Sequence, residues 1–99
     1  MTRVQITSPA LDDLADLWSF HARESEPRAQ AWVDAILKTI ALLEVTSLIG
    51  HERQESYLKG LRSLTHKRYI IFYRVSREEI QVIRIIHGHR DLESVFNVS

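Results

Sequence analysis

The run His87-Gly88-His89-Arg90-Asp91 closes the last long hydrophobic stretch of this chain, and its residue types permit several kinds of chemistry. His87 and His89 are imidazoles, a side-chain type suited to carrying protons. Two residues apart on a strand, their rings share a face, as metal ligands do. A third ligand is missing, because the chain has no cysteine and Asp91 has a partner in Arg90. The simpler reading is two histidines bonded to backbone and solvent at a strand end, so no metal site is assigned. Arg90 with Asp91 reads either as an ion pair that fixes the tail or as a partner-binding corner. Gly88 permits a backbone bend that aims His89 and Arg90 outward.

A second group of cations lies upstream. Residues 57–77 hold Lys59, Arg62, Lys67, Arg68, Arg74 and Arg77 and no carboxylate. The whole chain balances 13 Lys and Arg against 13 Asp and Glu, which excludes a polybasic nucleic-acid coat and an acidic tail. Within that balance the segment makes a local positive face. It reads as an anion-binding surface or as solubilising charge on exposed strand edges. Arg62, Lys67, Arg68 and Arg84 are candidate phosphate contacts.

The aromatic residues divide in the same way. Tyr69 and Tyr73 share a facing on one strand, and packing is expected before catalysis. Trp18 falls within the apolar stripe of a first helix and is expected in the core. Trp32 falls beside the stripe of a second helix and is the better candidate for contact with a partner.

These residues need elements to position them. Arg3 to Thr7 alternates polar and apolar and predicts a short strand. Ser8-Pro9 predicts a helix start, with Ser8 as cap and Asp12 and Asp13 near the positive end of the helix dipole. Leu11, Leu14, Ala15, Trp18 and Ala22 form its expected stripe. Glu24-Ser25-Glu26-Pro27 breaks that helix and begins another. The second stripe is Ala29, Val33, Ile36, Leu37, Ile40 and Leu43, ending before Gly50. Residues 50–59 predict a polar loop. Leu61 to Thr65 predicts a strand, and His66-Lys67-Arg68 a turn. Two long strands, Tyr69 to Val75 and Ile80 to Ile86, follow with a hairpin at residues 76–79. Apolar residues on both faces of these strands imply burial on both faces. The order predicts one α+β domain over residues 1–99: an N-terminal strand and an antiparallel helical hairpin packed on a mainly antiparallel four-stranded sheet.

With no cysteine, disulfides and thiolate metal sites are excluded, which fits a reducing cytoplasm. The start, Met1-Thr2-Arg3-Val4, does not read as a signal peptide, and no apolar run nears the roughly 20 residues that span a bilayer. A cytoplasmic protein without membrane contact and without cofactors is expected.

Four pieces in this order resemble the RelE/ParE superfamily of toxins from bacterial type II toxin–antitoxin modules. They are Ser8-Pro9-Ala10 with the acidic residues after it, Gly60-Leu61-Arg62, Tyr69 to Val75, and Ile80 to Asp91. The resemblance covers nearly the whole chain and is greatest to the ParE-like branch. RelE-like members cut messenger RNA on the ribosome, whereas ParE-like members poison DNA gyrase and are not nucleases. RelE-like enzymes carry a catalytic Arg where this chain has Ile70, and tend to carry a Tyr near the C-terminus where it has Phe96. An aliphatic residue cannot stabilise an oxyanion, and Phe96 has no proton to transfer.

The resemblance therefore implies a gyrase inhibitor that acts by binding and has no catalytic residue. Its alternatives are a RelE-like ribosome-dependent endoribonuclease and an inactive toxin-fold assembly partner. Target contacts are expected from Arg62, Arg68, Arg74, Arg84, His87, His89, Arg90 and Phe96. An acidic antitoxin that folds on binding is expected to contact Trp32, Arg62, Tyr73 and Arg74. No specific nucleic acid is expected as a direct partner. A homodimer or a two-plus-two complex with antitoxin is the expected assembly.

Overall fold

The computed structural model describes residues 3–53 and 60–88. His89, Arg90 and Phe96 lie outside them, as does Lys59. Strand β1 (Arg3–Ile6) leads into helix α1 (Ser8–Ala22), then α2 (Glu26–Ala41) and a 3₁₀ turn (Leu42–Glu44). Four strands follow: β2 (His51–Glu52), β3 (Leu61–His66), β4 (Tyr69–Val75) and β5 (Glu79–His87). The five form one sheet in the order β1-β5-β4-β3-β2. β1 runs parallel to β5, and the other pairings are antiparallel.

The α+β architecture is as expected, with a mixed sheet of five strands in place of the mainly antiparallel four. The extra strand β2 is only two residues long and has no periodicity to read. It exists because His51 and Glu52 pair with Ser63 and Arg62 of β3. The parallel pairing follows from topology: two helices carry the chain from β1 at the edge back to the sheet.

Helix α1 is capped one residue before the expected position. Thr7 is the cap, and its Oγ1 accepts from the Ala10 N–H at 3.4 Å. The same hydroxyl donates toward the carbonyls of Val82 and Ile83 at 2.9 and 3.1 Å, which ties the helix start to β5. With that frame Asp12 and Asp13 fall beyond the first turn. The buried face becomes Ala10, Asp13, Leu14 and Leu17, not the expected stripe. Leu11 is half exposed, and Trp18 lies outside both apolar clusters. Helix α2 starts as predicted, with Ser25 Oγ accepting from the Arg28 N–H at 3.2 Å. It buries Ala29, Ile36 and Ile40, with Trp32 and Val33 packed alongside.

The sheet is apolar on both faces, as the strand composition implied. Tyr69, Ile71, Tyr73, Ile80, Val82 and Ile85 meet the helices. Leu61, Phe72 and Ile86, with Ile70 and Ile83 beside them, make a second cluster on the opposite face. A bulge in β5 reconciles the two. Phe72 pairs with Arg84 and Tyr73 with Val82, so Ile83 is the extra residue. Before the bulge the even residues Ile80 and Val82 face the helices. After it Ile85 does so, and His87 pairs with helix-facing Tyr69.

Candidate functional site

Cationic and aromatic side chains gather at one end of the molecule, where the tip of the helical hairpin meets the β3–β4 turn. Pairing of His66 with Tyr69 leaves a two-residue turn, Lys67-Arg68. Lys67 adopts φ 53°, the left-handed region that tight hairpin turns ordinarily fill with Gly or Asn. Gly88, just past β5, donates its N–H to the Arg68 carbonyl at 2.8 Å and holds the strand end against this turn.

An aromatic cluster backs the turn. The His21 ring stacks on Trp32 with centroids 4.8 Å apart and planes 15° apart. Tyr69 meets Trp32 edge-on at 5.4 Å, and His87 meets Tyr69 edge-on at the same distance. The Lys67 ammonium lies over the Trp32 ring, 5.6 Å from its centroid. His21 Nε2 and the Tyr69 hydroxyl are 3.0 Å apart. Burial lowers the His21 pKa; Glu24 opposes that shift, while Arg28, Arg68 and His87 add to it. Burial raises the Tyr69 pKa, against the pull of Arg68. Both directions favour a neutral imidazole whose Nε2 accepts a hydrogen bond from the phenol O–H.

His66 completes the group. Thr39 Oγ1 donates to the Ala35 carbonyl at 3.0 Å and lies 3.1 Å from His66 Nδ1. With the hydroxyl proton committed to Ala35, Nδ1 is placed to donate to Thr39 Oγ1. The enclosed Nε2 of that ring has no hydrogen-bond partner among the described residues.

A cavity of about 830 Å³ opens in front of this wall. Its lining includes His21, Trp32 and His66 with the cations Arg23, Arg28, Lys67 and Arg68. Glu24 is the single carboxylate in that lining, and Arg28 pairs with it at 3.4 Å. A second cavity of about 680 Å³ shares Phe20 and Arg23 and is walled by Tyr69, Ile85, Ile86 and His87. Among the described residues no group of three His, Asp or Glu is placed to hold a metal ion.

The expected site residues do not form one surface. Arg68 and His87 belong to the end just described. Arg74 is exposed at the far end of β4, opposite Leu61. The Arg62 guanidinium donates to the carbonyls of Gly50 at 2.7 Å and Leu48 at 3.2 Å. It pins the loop that precedes β2. Arg84 donates Nε to Asp13 Oδ2 at 2.7 Å and Nη2 to Oδ1 at 2.9 Å, and the pair is largely buried. That hydrogen bond is the main reason the Arg84 pKa is raised. Tyr73 is fully buried, and its hydroxyl accepts from the Gly50 N–H at 2.9 Å. In this conformation it holds the loop and cannot touch a partner. Trp18 lies outside the core clusters, against expectation, while Trp32 is half-buried, packing against the main cluster and lining the cavity.

Sequence reasoning missed His21, His66 and Arg23. The signal was weak, because these residues come from different elements and only the packed hairpin juxtaposes them. The left-handed Lys67 had a trace in the sequence: a short turn, His66-Lys67-Arg68, without Gly or Asn.

Solved structures share this helical hairpin on a mixed sheet. A chain of the chromosomal ParDE TA system from P. aeruginosa superposes with a TM-score of 0.76 at 27% identity, covering 88% of this chain and 96% of that one. A chain of the E. coli DinJ-YafQ complex superposes at 0.62 over 98% and 99% of the two chains, and at 12% identity it shows a shared fold alone. No curated protein sequence matches. Residues 4–92 match the family model for the ParE toxin of the type II toxin-antitoxin system parDE. This chain belongs to that family.

Proposed function

We propose that this chain inhibits DNA gyrase by binding it, without cleaving RNA, and that a cognate acidic antitoxin neutralises it in the cytoplasm. Membership of the ParE family supports this reading. The residue that carries it is Ile70, which packs beside Leu61, Phe72 and Ile86 where a RelE-like nuclease would hold a catalytic Arg. An aliphatic side chain in an apolar cluster offers no charge to a phosphate transition state. Arg68 and His87 would grip the target, together with His89, Arg90 and Phe96. Arg62, Arg84 and Tyr73 would act by holding that frame in shape. The antitoxin partner is supported by the family model, a toxin of a toxin–antitoxin system, and by the ParDE system to which the 27%-identical relative belongs. No helix among the described residues is long and apolar enough to cross a membrane.

Purified chain added to gyrase and relaxed plasmid should block supercoiling. The same sample added to translating ribosomes should leave messenger RNA whole. Codon-placed cuts in the transcript, with supercoiling untouched, would overturn the reading.

A further inference from the structure

We propose that the cavity beside the β3–β4 turn binds a nucleoside phosphate, a flat heteroaromatic ring bearing a phosphate, free or at the end of a strand. The inference rests on the cavity and the turn beside it, not on the gyrase reading. It also goes beyond the expectation that the chain has no specific nucleic-acid partner.

The volume, about 830 Å³, falls within the range of small-molecule sites. Its charge is one-sided. Among the described residues Arg23, Lys67 and Arg68 form no ion pair, while Glu24 is engaged by Arg28. Three unpaired cations around one opening favour an anion, and guanidinium groups suit the geometry of phosphate.

The wall of the cavity selects for a flat ring. Trp32 is held rigid by His21 on one face and by edge contacts from Tyr69 and His66. The Lys67 ammonium covers the indole at 5.6 Å. A ligand ring that displaces this ammonium stacks on the same indole, and the flexible lysine stem turns its charge to the phosphate.

The turn supplies an independent observation. Lys67 occupies the left-handed region at φ 53°, a conformation that glycine adopts without strain. Strain of this kind gathers at functional sites. The backbone there directs a long cationic side chain over Trp32, which glycine would not provide. An acidic peptide would satisfy the cations but has no use for the rigid aromatic wall.

The test uses the full chain with Trp18→Phe, which leaves Trp32 as the single tryptophan. Trp18 is outside both core clusters, so the variant should fold. Calorimetric titration of the unsubstituted chain gives a second readout that needs no variant. Adenosine 5′-monophosphate should quench Trp32 emission with a saturable curve. Adenosine, inorganic phosphate and penta-glutamate should each bind roughly tenfold or more weakly. Lys67→Gly should weaken the nucleotide by a similar factor while its Tm stays level or rises, because glycine relieves the turn. A 5′-phosphorylated oligonucleotide that binds more tightly than the mononucleotide identifies a strand as the source. Equal binding identifies the free nucleotide. The proposal fails if neither the mononucleotide nor the oligonucleotide binds. It also fails if phosphate or penta-glutamate binds as well as the nucleotide, or if Lys67→Gly binds like the parent.

Discussion

Gly50 sits where no side chain fits. A Cβ there would press into the Ser63 carbonyl and stand 2.6 Å from the Tyr73 hydroxyl. That contact and the hydrogen bond from the Gly50 N–H are two sides of one close approach. Gly50→Ala should therefore cost about 1–3 kcal/mol of stability, by overpacking. Tyr73→Phe should cost about 1–3 kcal/mol, by leaving a buried N–H without a partner. Urea denaturation measures both, and an unchanged midpoint in either variant would refute the account. His21 makes a pH prediction. Its folded pKa lies below 6.5, so the unfolded chain takes up the proton first as pH falls. Stability from this group is complete above about pH 6.5 and is lost as pH drops through the folded value. The Tm of the parent should fall on acidification more than that of His21→Asn. The difference between the two curves isolates His21 from the other histidines.

Helix α1 is locked to β5 at two levels. Thr7 joins its start to the carbonyls of Val82 and Ile83, and Asp13 joins its second turn to the strand just past the bulge. Asp13 Oδ2 accepts from both the Arg84 Nε and the Ile85 N–H, the latter at 2.8 Å. The pairing of β1 with β5 ends at Val82, and beyond it one carboxylate takes both the Ile85 N–H and the Arg84 guanidinium. Removing that carboxylate strands a guanidinium whose side chain is only 23% exposed. Asp13→Ala should lose about 3–5 kcal/mol in chemical denaturation. An apolar double replacement, Asp13→Leu with Arg84→Met, should recover much of the loss, because burying an ion pair is itself costly. If the double variant is no better than the single one, the interaction is not a simple buried pair.

Among the described residues, two exposed patches differ in character. Free cations cluster at the β3–β4 turn, while Leu42, Val45, Leu48 and Ile49 are exposed beyond the other end of α2, before edge strand β2. Val45 is 83% exposed and Leu48 65%. Several exposed aliphatic residues close together mark a contact surface, and the edge strand beside them offers unpaired backbone. On the proposed toxin reading, the antitoxin covers this patch. Val45→Asp with Leu48→Asp should weaken antitoxin binding roughly tenfold or more and leave the Tm of the isolated chain unchanged. Calorimetry of the complex and a melting curve of the toxin check the two halves separately.

The α+β order, the two helices with their break at residues 24–27, the long hairpin and a turn between β3 and β4 were legible in the sequence, although the turn is one residue shorter than the expected His66-Lys67-Arg68. They rest on local signals: caps, prolines and strand periodicity act within a few residues. Burial on both sheet faces was legible too, because apolar residues filled both alternations of β4 and β5. The frame of α1 was not, since Thr7 is chosen as cap by its bonds to β5, some 75 residues away. Nor was the bulge, which has no composition signal and yet decides which residues of β5 face the helices. Arg62 and Arg84 read as free cations, because a sequence records charge but not the partner a fold brings to it. The His21–Trp32–Tyr69 group existed only after α1, α2 and β4 had packed. Local interactions specify elements, whereas long-range packing decides which charges stay open to solvent, and the site depends on those charges.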